Sequence, residues 1–396
     1  MNTGLVRIKV VASILWLVCQ LPVRGRADLN YHPAGATALV IGPGLTGLTR
    51  LGATPLSPDD KPAEQVYKNI QVFKGLPSQQ LMPAMFFMRG ALGVSCNECH
   101  VNFTDFEKDD NPKKQVARQM IEMVRALNQK NFASQNTINC NTCHRGRTKP
   151  SAPLSLAAIK NSASAVTTSK RTQPVPSVEQ IFDRYISATG GKSALERFKT
   201  GVFTGVMLSS EGWTAPLRIY QTAPDKLLVT FDVGAIFYQT YNGTSGWGQD
   251  NQGVHDITGK DLALLKRKAA LFQPLILKEQ YSGLKLLGTE TIDEREAYAV
   301  EGVIPSAGTD KLYFDVESGL LVRITSRTET ALGTLPHQIE LKDYRPVDGV
   351  KLPFMIGDLA PDFSSVYKLN EAKHNTPISI NLFDRPIAPL KGFPDH

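Results

Sequence analysis

Cysteine is scarce in this chain: five in 396 residues, four of them between positions 96 and 143. So few, so placed, leave no disulfide framework to assign once Cys19 departs with an export signal. The first apolar run, Val10 to Cys19, falls short of the ~20 residues that cross a membrane. No basic run is interleaved with aromatics, so the net charge of +7 does not indicate nucleic acid. It suits an acidic partner surface, or simply a solvated basic one. No Ser-His-Asp set, metal cluster or phosphate loop is apparent, and His255, His337, His374 and His396 read as surface or loop residues. Gly42-Pro43-Gly44-Leu45-Thr46-Gly47 fits a dinucleotide fingerprint, but the chain then runs into Pro55, Pro58 and Pro62 where a helix is required.

What is present is one pattern written twice. Cys96-Asn97-Glu98-Cys99-His100 and Cys140-Asn141-Thr142-Cys143-His144 both read C-x-x-C-H, the attachment signature of a c-type haem. Two thiols at that spacing lie on one side of a single turn and can each form a thioether. The next His then supplies the proximal nitrogen to iron. A redox disulfide or a four-cysteine zinc site would also use paired cysteines, but neither explains a His after both pairs. The expected cofactors are two covalent haems on Cys96, Cys99, Cys140 and Cys143, with His100 and His144 on the irons.

Arg7 and Lys9 before the first apolar run, and Gly25-Arg26-Ala27 after it, read as an export signal cleaved after Ala27. Export to the periplasm or the outer face of the plasma membrane is also where c-type haems are joined. Trp16-Leu17-Val18 departs from a lipobox, so no lipid anchor is expected on Cys19.

Helical spacing runs from Ala63 to Leu76, then from Ser78 or Pro83 to Leu92, with Gly93 as the stop. A third helix starts at Pro112 behind the cap Asn111, with the stripe Val116, Met120, Met123, Val124, Leu127. The helix before each motif carries methionines: Met82, Met85 and Met88, then Met120 and Met123. Such residues serve as core filler, or, beside a haem, as a sixth ligand.

Leu92-Gly93-Val94-Ser95, the run Ala117 to Asn128, and Thr142-Cys143-His144-Arg145-Gly146 resemble the cytochrome c subunit of photosynthetic reaction centres. The resemblance covers residues 60–150. It implies a helix, a turn and C-x-x-C-H for each haem, with Met85 on the first iron and Met120 on the second. Met88 and Met123 are the runners-up. Members with four haems carry a His in the loop after the third helix, and Asn131 to Asn136 has none, in keeping with a two-haem chain. The resemblance implies single-electron transfer, photosynthetic or respiratory, between redox partner proteins or within a membrane-associated complex. An excess of 13 basic over 9 acidic side chains in residues 55–149 suits an acidic docking surface.

Beyond a Ser/Thr/Ala/Pro/Lys-rich linker, Val178 to Ile186 and Ala194 to Phe198 read as helices. Strands are read over Leu217 to Gln221, Lys226 to Asp232 and Ile236 to Tyr241. Hairpins turn at Ser318-Gly319 and Asp348-Gly349. Tyr313 to Leu321 and Asp343 to Gly349 are similar to the periplasmic lipoprotein-carrier fold, a curved antiparallel sheet plugged by helices.

The expected architecture is multidomain, α followed by α+β. Its parts are a signal peptide (1–27), a flexible segment (28–59), a dihaem domain (60–150), a linker (151–176), a β-rich domain (177–372) and a tail (373–396). The expected function is electron transfer, without catalytic residues. A dihaem peroxidase-like enzyme and an apolar-ligand or lipid-binding role for the β-rich half stay open.

Overall fold

The computed structural model describes residues 61–101, 105–133, 136–150, 175–250, 253–304 and 308–393. The signal peptide, Cys19, the Gly42–Gly47 motif, nearly all of the linker and His396 lie outside them.

The N-terminal part is helical. Helix α1 (Ala63–Val66) is one turn, not the long helix expected to Leu76. Tyr67 turns extended, and Asn69 at φ 56° and Gly75 at φ 76° bend the chain into successive turns. The Gly75 N–H donates to Glu64 Oε2 at 2.9 Å, so the first helical turn itself anchors the bend. Helix α2 (Ser78–Leu92) carries Pro83 inside it, at the loss of one helical hydrogen bond, and stops at left-handed Gly93 as read. Helix α3 (Pro112–Asn131) starts as expected: the Asn111 side chain accepts from the Lys113 N–H at 3.1 Å and Pro112 follows. Helix α4 (Cys140–His144) is the second motif itself.

Helices α5 (Val178–Ala188) and α6 (Lys192–Glu196) precede the sheet. In α5, Ser177 and Gln180 form a reciprocal cap. The next strands are β1 (Thr200–Ser209), β2 (Thr214–Thr222), β3 (Lys226–Asp232), β4 (Ile236–Tyr241), β5 (Gly246–Asp250) and β6 (Gly253–Ile257). Helix α7 (Gly259–Ala269) and the short α8 (Gln273–Ile276) interrupt them. Then come β7 (Ser282–Ile292), β8 (Arg295–Ile304), β9 (Gly308–Asp315), β10 (Leu321–Thr330), β11 (Gly333–Val347), β12 (Val350–Leu359) and β13 (Ser364–His374).

All thirteen strands form one open antiparallel sheet, ordered β6-β5-β4-β3-β2-β1-β13-β12-β11-β10-β9-β8-β7. It is two meanders joined where the last strand returns beside the first, Met207 opposite Tyr367. One face is covered by helices. Leu265 and Ala269 of α7 pack on Phe203, Leu217, Phe231 and Phe354, while Ile181, Phe182 and Tyr185 of α5 pack on Val300, Leu312 and Phe314. Burying an aromatic such as Phe182 is worth about 2–3 kcal/mol. On the opposite face the chain after β13 folds back, seating Phe383 among Tyr220, Tyr238 and Trp247.

Helix α2 is held against the sheet. Phe87 joins Leu332 and Leu335 at the β10–β11 turn, and Gly90 abuts Pro361 and Asp362 at the β12–β13 turn. Arg89, 8% exposed, pairs with Glu211 and lies over the Phe363 ring at 5.9 Å.

Candidate haem-binding site

The two C-x-x-C-H segments approach each other through glycine. Gly93, left-handed before the first motif, meets Gly146, left-handed after the second: a Cβ on Gly93 would stand 2.2 Å from the Gly146 carbonyl oxygen. The Gly146 N–H donates to Ala91 O at 2.8 Å and closes the contact.

Each motif is a tight turn. Cys96–Glu98 forms a single 3-10 turn, and the His100 N–H donates to Cys96 O at 3.0 Å. Cys140–His144 is a helical turn capped reciprocally by Asn139 and Thr142. Helix α3 is tied to both. At its start Asn111 Nδ2 donates to Glu98 O at 2.9 Å, and Lys113 pairs with Glu98 at 2.6 Å. Near its end, Asn128, 4% exposed, grips Ile138 twice, donating to its carbonyl at 2.6 Å and accepting from its N–H at 2.9 Å.

The histidines are oriented alike. His100 Nδ1 lies 3.1 Å from Phe106 O, and His144 Nδ1 lies 2.9 Å from Arg147 O. A carbonyl only accepts, so Nδ1 carries the proton and Nε2 keeps its lone pair, the tautomer a metal-ligating imidazole needs. The His100 ring also packs edge-on against Phe106 at 5.0 Å between centroids. Burial holds the pKa of His100 below its usual value, and Lys114 and Arg118 add to this, which favours the neutral ring. Burial raises the thiols of Cys96, Cys99 and Cys140. All four thiols are unbridged.

The methionines divide. Met82, Met85 and Met88 pack in the cluster that holds Phe73, Leu81, Phe87 and Cys140. On α3, Ile121, Arg118 and Asn128 turn inward, while Val116, Met120, Met123 and Leu127 lie 40–52% exposed. An apolar stripe turned to solvent beside two C-x-x-C-H turns suits a broad apolar macrocycle. With four thiols and two Nε2 donors, the residues fit two c-type haems. Among the described residues no group of three or more His, Cys, Asp or Glu is placed to hold a bare metal ion.

Strand register assembles a second constellation that the sequence reading does not anticipate. Ser326 pairs with Asp310 on one side and His337 on the other; Asp358 pairs with Ile339 and with Ser365. Cross-strand partners and alternate residues share a face, so Asp310, Ser326, His337, Asp358 and Ser365 cross five strands as one polar row. Ser326 Oγ lies 3.2 Å from His337 Nδ1, and His337 Nε2 lies 2.7 Å from Asp358 Oδ1. The absence of a Ser-His-Asp set is therefore corrected. So is the surface reading of His337 and His374: the His337 side chain is 17% exposed, and His374, 4% exposed, stacks on Phe198 at 3.9 Å.

Residues 49–182 match the sequence model of the photosynthetic reaction centre cytochrome c subunit family. The reaction centre cytochrome c subunit of Thermochromatium tepidum is 31% identical over 153 residues, 36% of this chain and 37% of that relative. Cytochrome c-554 of Chloroflexus aurantiacus is 38% identical over 82 residues, 19% of this chain and 20% of its own. The chain thus spans little more than a third of the first relative's length and a fifth of the second's. A lipoprotein-sorting protein domain from Vibrio parahaemolyticus aligns over 52% of this chain and 97% of its own (11% identity, TM-score 0.39). A LolA superfamily protein from Nitrosomonas europaea aligns over 53% and 98% (12% identity, TM-score 0.37). Among the described residues no helix is long and apolar enough to cross a membrane.

Proposed function

We propose that this chain is an exported dihaem c-type cytochrome that passes single electrons between redox partners. One observation carries the reading: two C-x-x-C-H turns, each with its His Nδ1 committed to a backbone carbonyl and Nε2 free to ligate. Likeness to two named cytochromes supports it. When bound, the irons supply the one-electron chemistry.

The chain's own residues hold and tune. Cys96, Cys99, Cys140 and Cys143 would anchor the two groups, and His100 and His144 would be proximal ligands. Met85 and Met120 are the proposed distal ligands, with Met88 and Met123 one turn further on. The contact between Gly93 and Gly146 fixes the spacing of the motifs. Asn111 and Asn128 fix α3 across both. Exposed Lys113 lines the first motif and exposed Arg145 and Arg147 close the second, a basic rim suited to an acidic partner in the periplasm or on the outer face of the plasma membrane.

A redox titration of the purified chain with optical detection tests the reading. Two haems of low spin, each with a sulfur-ligated signature, are expected. One haem, or a high-spin centre binding carbon monoxide readily, would move the function toward the peroxidase class.

A further inference from the structure

We propose that the helix-covered face of the sheet, where β10, β11 and β12 pass beneath the end of α7, binds a quinol and delivers its two electrons to the haem motifs. This rests on the dihaem reading and names its electron source.

The polar row supplies the acid–base half. His337 Nε2 donates to Asp358, so Nδ1 is left to accept from the Ser326 hydroxyl, and the three form a directed relay. Asp358 side-chain exposure is 8%, and an imidazolium formed beside it would be held in place. Asp310 and Asp362 also face His337. Opposite them α7 presents Arg267, 3.8 Å from Asp310, and Lys268, which faces Asp358. Lys268, exposed at the end of α7, stands at the edge of this row.

The sheet face beside this row supplies the apolar half, as a floor. Ile324, Ile339 and Ile356 lie on the same face and remain only partly buried. A flat ring with a hydrocarbon tail fits such a floor, with its oxygens at the Ser326–His337 and Lys268 ends. The buried Tyr367 hydroxyl, without a well-formed hydrogen bond, stands in the field of Asp358 as a further donor.

The stoichiometry favours a quinol over a lipid. A quinol becomes a quinone by losing two electrons and two protons and nothing else. The two C-x-x-C-H motifs would hold two groups that each accept one electron, together matching the two electrons of one quinol. The first proton passes to Ser326 Oγ as Ser326 gives its own to His337 Nδ1, and the second leaves to water. Asp362 bridges the two halves: it faces His337 on one side and Arg89 on the other, and its charge is felt at Cys96. A lipid ligand needs no base backed by a carboxylate.

The test mixes the haem-loaded full chain with a decyl-substituted benzoquinol in a stopped-flow instrument. Expected are saturable reduction, two haems per quinol, and a rate lowered roughly 100-fold or more in Ser326→Ala and His337→Gln. Reduction by hexaammineruthenium(II) is expected to be unchanged in both. Equilibrium dialysis of the oxidised decylquinone should show retention by the native chain and weaker retention by His337→Gln. If His337→Gln loses its circular dichroism signature, Asp358→Asn replaces it. Quinol reduction that is unsaturable, or equal in native and variant chains, overturns the proposal, as does retention of a fatty acid in place of the quinone. If hexaammineruthenium(II) also finds nothing to reduce, the dihaem reading has failed instead.

Discussion

Replacing Gly93 by Ala should loosen both motifs, and by more than the same change at Gly146. Both residues are left-handed, at φ 63° and 76°. An added Cβ in that region costs about 1–2 kcal/mol. At Gly146 the Cβ meets nothing within 4 Å, so the backbone term is the whole cost. At Gly93 it meets the Gly146 carbonyl oxygen at 2.2 Å and the carbonyl carbon at 2.8 Å. Backbone must move by about an ångström, an overpacking cost of about 1–3 kcal/mol. The Gly146–Ala91 hydrogen bond breaks as it does, for about 1 kcal/mol more. The expected totals are about 3–6 kcal/mol for Gly93→Ala and about 1–2 kcal/mol for Gly146→Ala. Amide hydrogen exchange reads this as local opening. Residues 91–100 and 139–147 should exchange about 30-fold to 700-fold faster in Gly93→Ala than in Gly146→Ala, at 1.4 kcal/mol per tenfold. Equal protection in the two variants would refute the contact.

Three further outcomes follow from the same geometry. Asn128→Ala removes both hydrogen bonds to Ile138 and should cost about 2 kcal/mol, read by urea unfolding, with faster exchange at Ile138 and Asn139. Asp362 is held up to about 6, first by burial, with its own and the Phe363 N–H and Arg89 offsetting part. A carboxyl raised on folding favours the native state below pH 4, and the benefit is lost as pH rises to 6. Asp362→Asn should therefore match the native chain at pH 4 and exceed it by up to about 3 kcal/mol at pH 7; equal stability curves would dismiss the buried carboxyl. Met120→Ala should leave both thioether pairs intact in the mass spectrum but lower the potential at one iron. An unmoved titration of both irons would shift the ligand assignment to Met123.

Local chemistry made much of the helical part legible. Asn111 before Pro112 and Gly93 after Leu92 are capping signals; α2 ends on Gly93 and α3 begins behind Asn111. The C-x-x-C-H turns are legible for the same reason, since five adjacent residues carry the whole pattern. Ala63 to Leu76 misleads because its spacing is helical while Asn69 and Gly75 prefer turns. Helix α7 has no place in the sequence reading although Leu262, Leu265 and Ala269 keep helical spacing, because eleven residues carry little signal among strands. Of the strands flanking Pro224, Lys226–Asp232 is observed with the bounds read, and Leu217–Gln221 extends to Thr214–Thr222. The Ser326–His337–Asp358 row is invisible in principle, because it exists only when β10, β11 and β12 pair in one register. Arg89 likewise reads as a helix-end charge until Glu211 and Phe363 reach it.

The docking of α2 on the sheet also sets an order in time. Phe87 and Gly90 are made well before Leu335 and Pro361. Through most of synthesis the helices therefore stand without their partners, their Cys pairs accessible to whatever acts on them. Closure against the two hairpin turns is a late, long-range event, slow by the entropy of the loop it completes. A chain truncated before residue 330 would present the same motifs and never seal them, so that the last strands act as the lock on work done at the start.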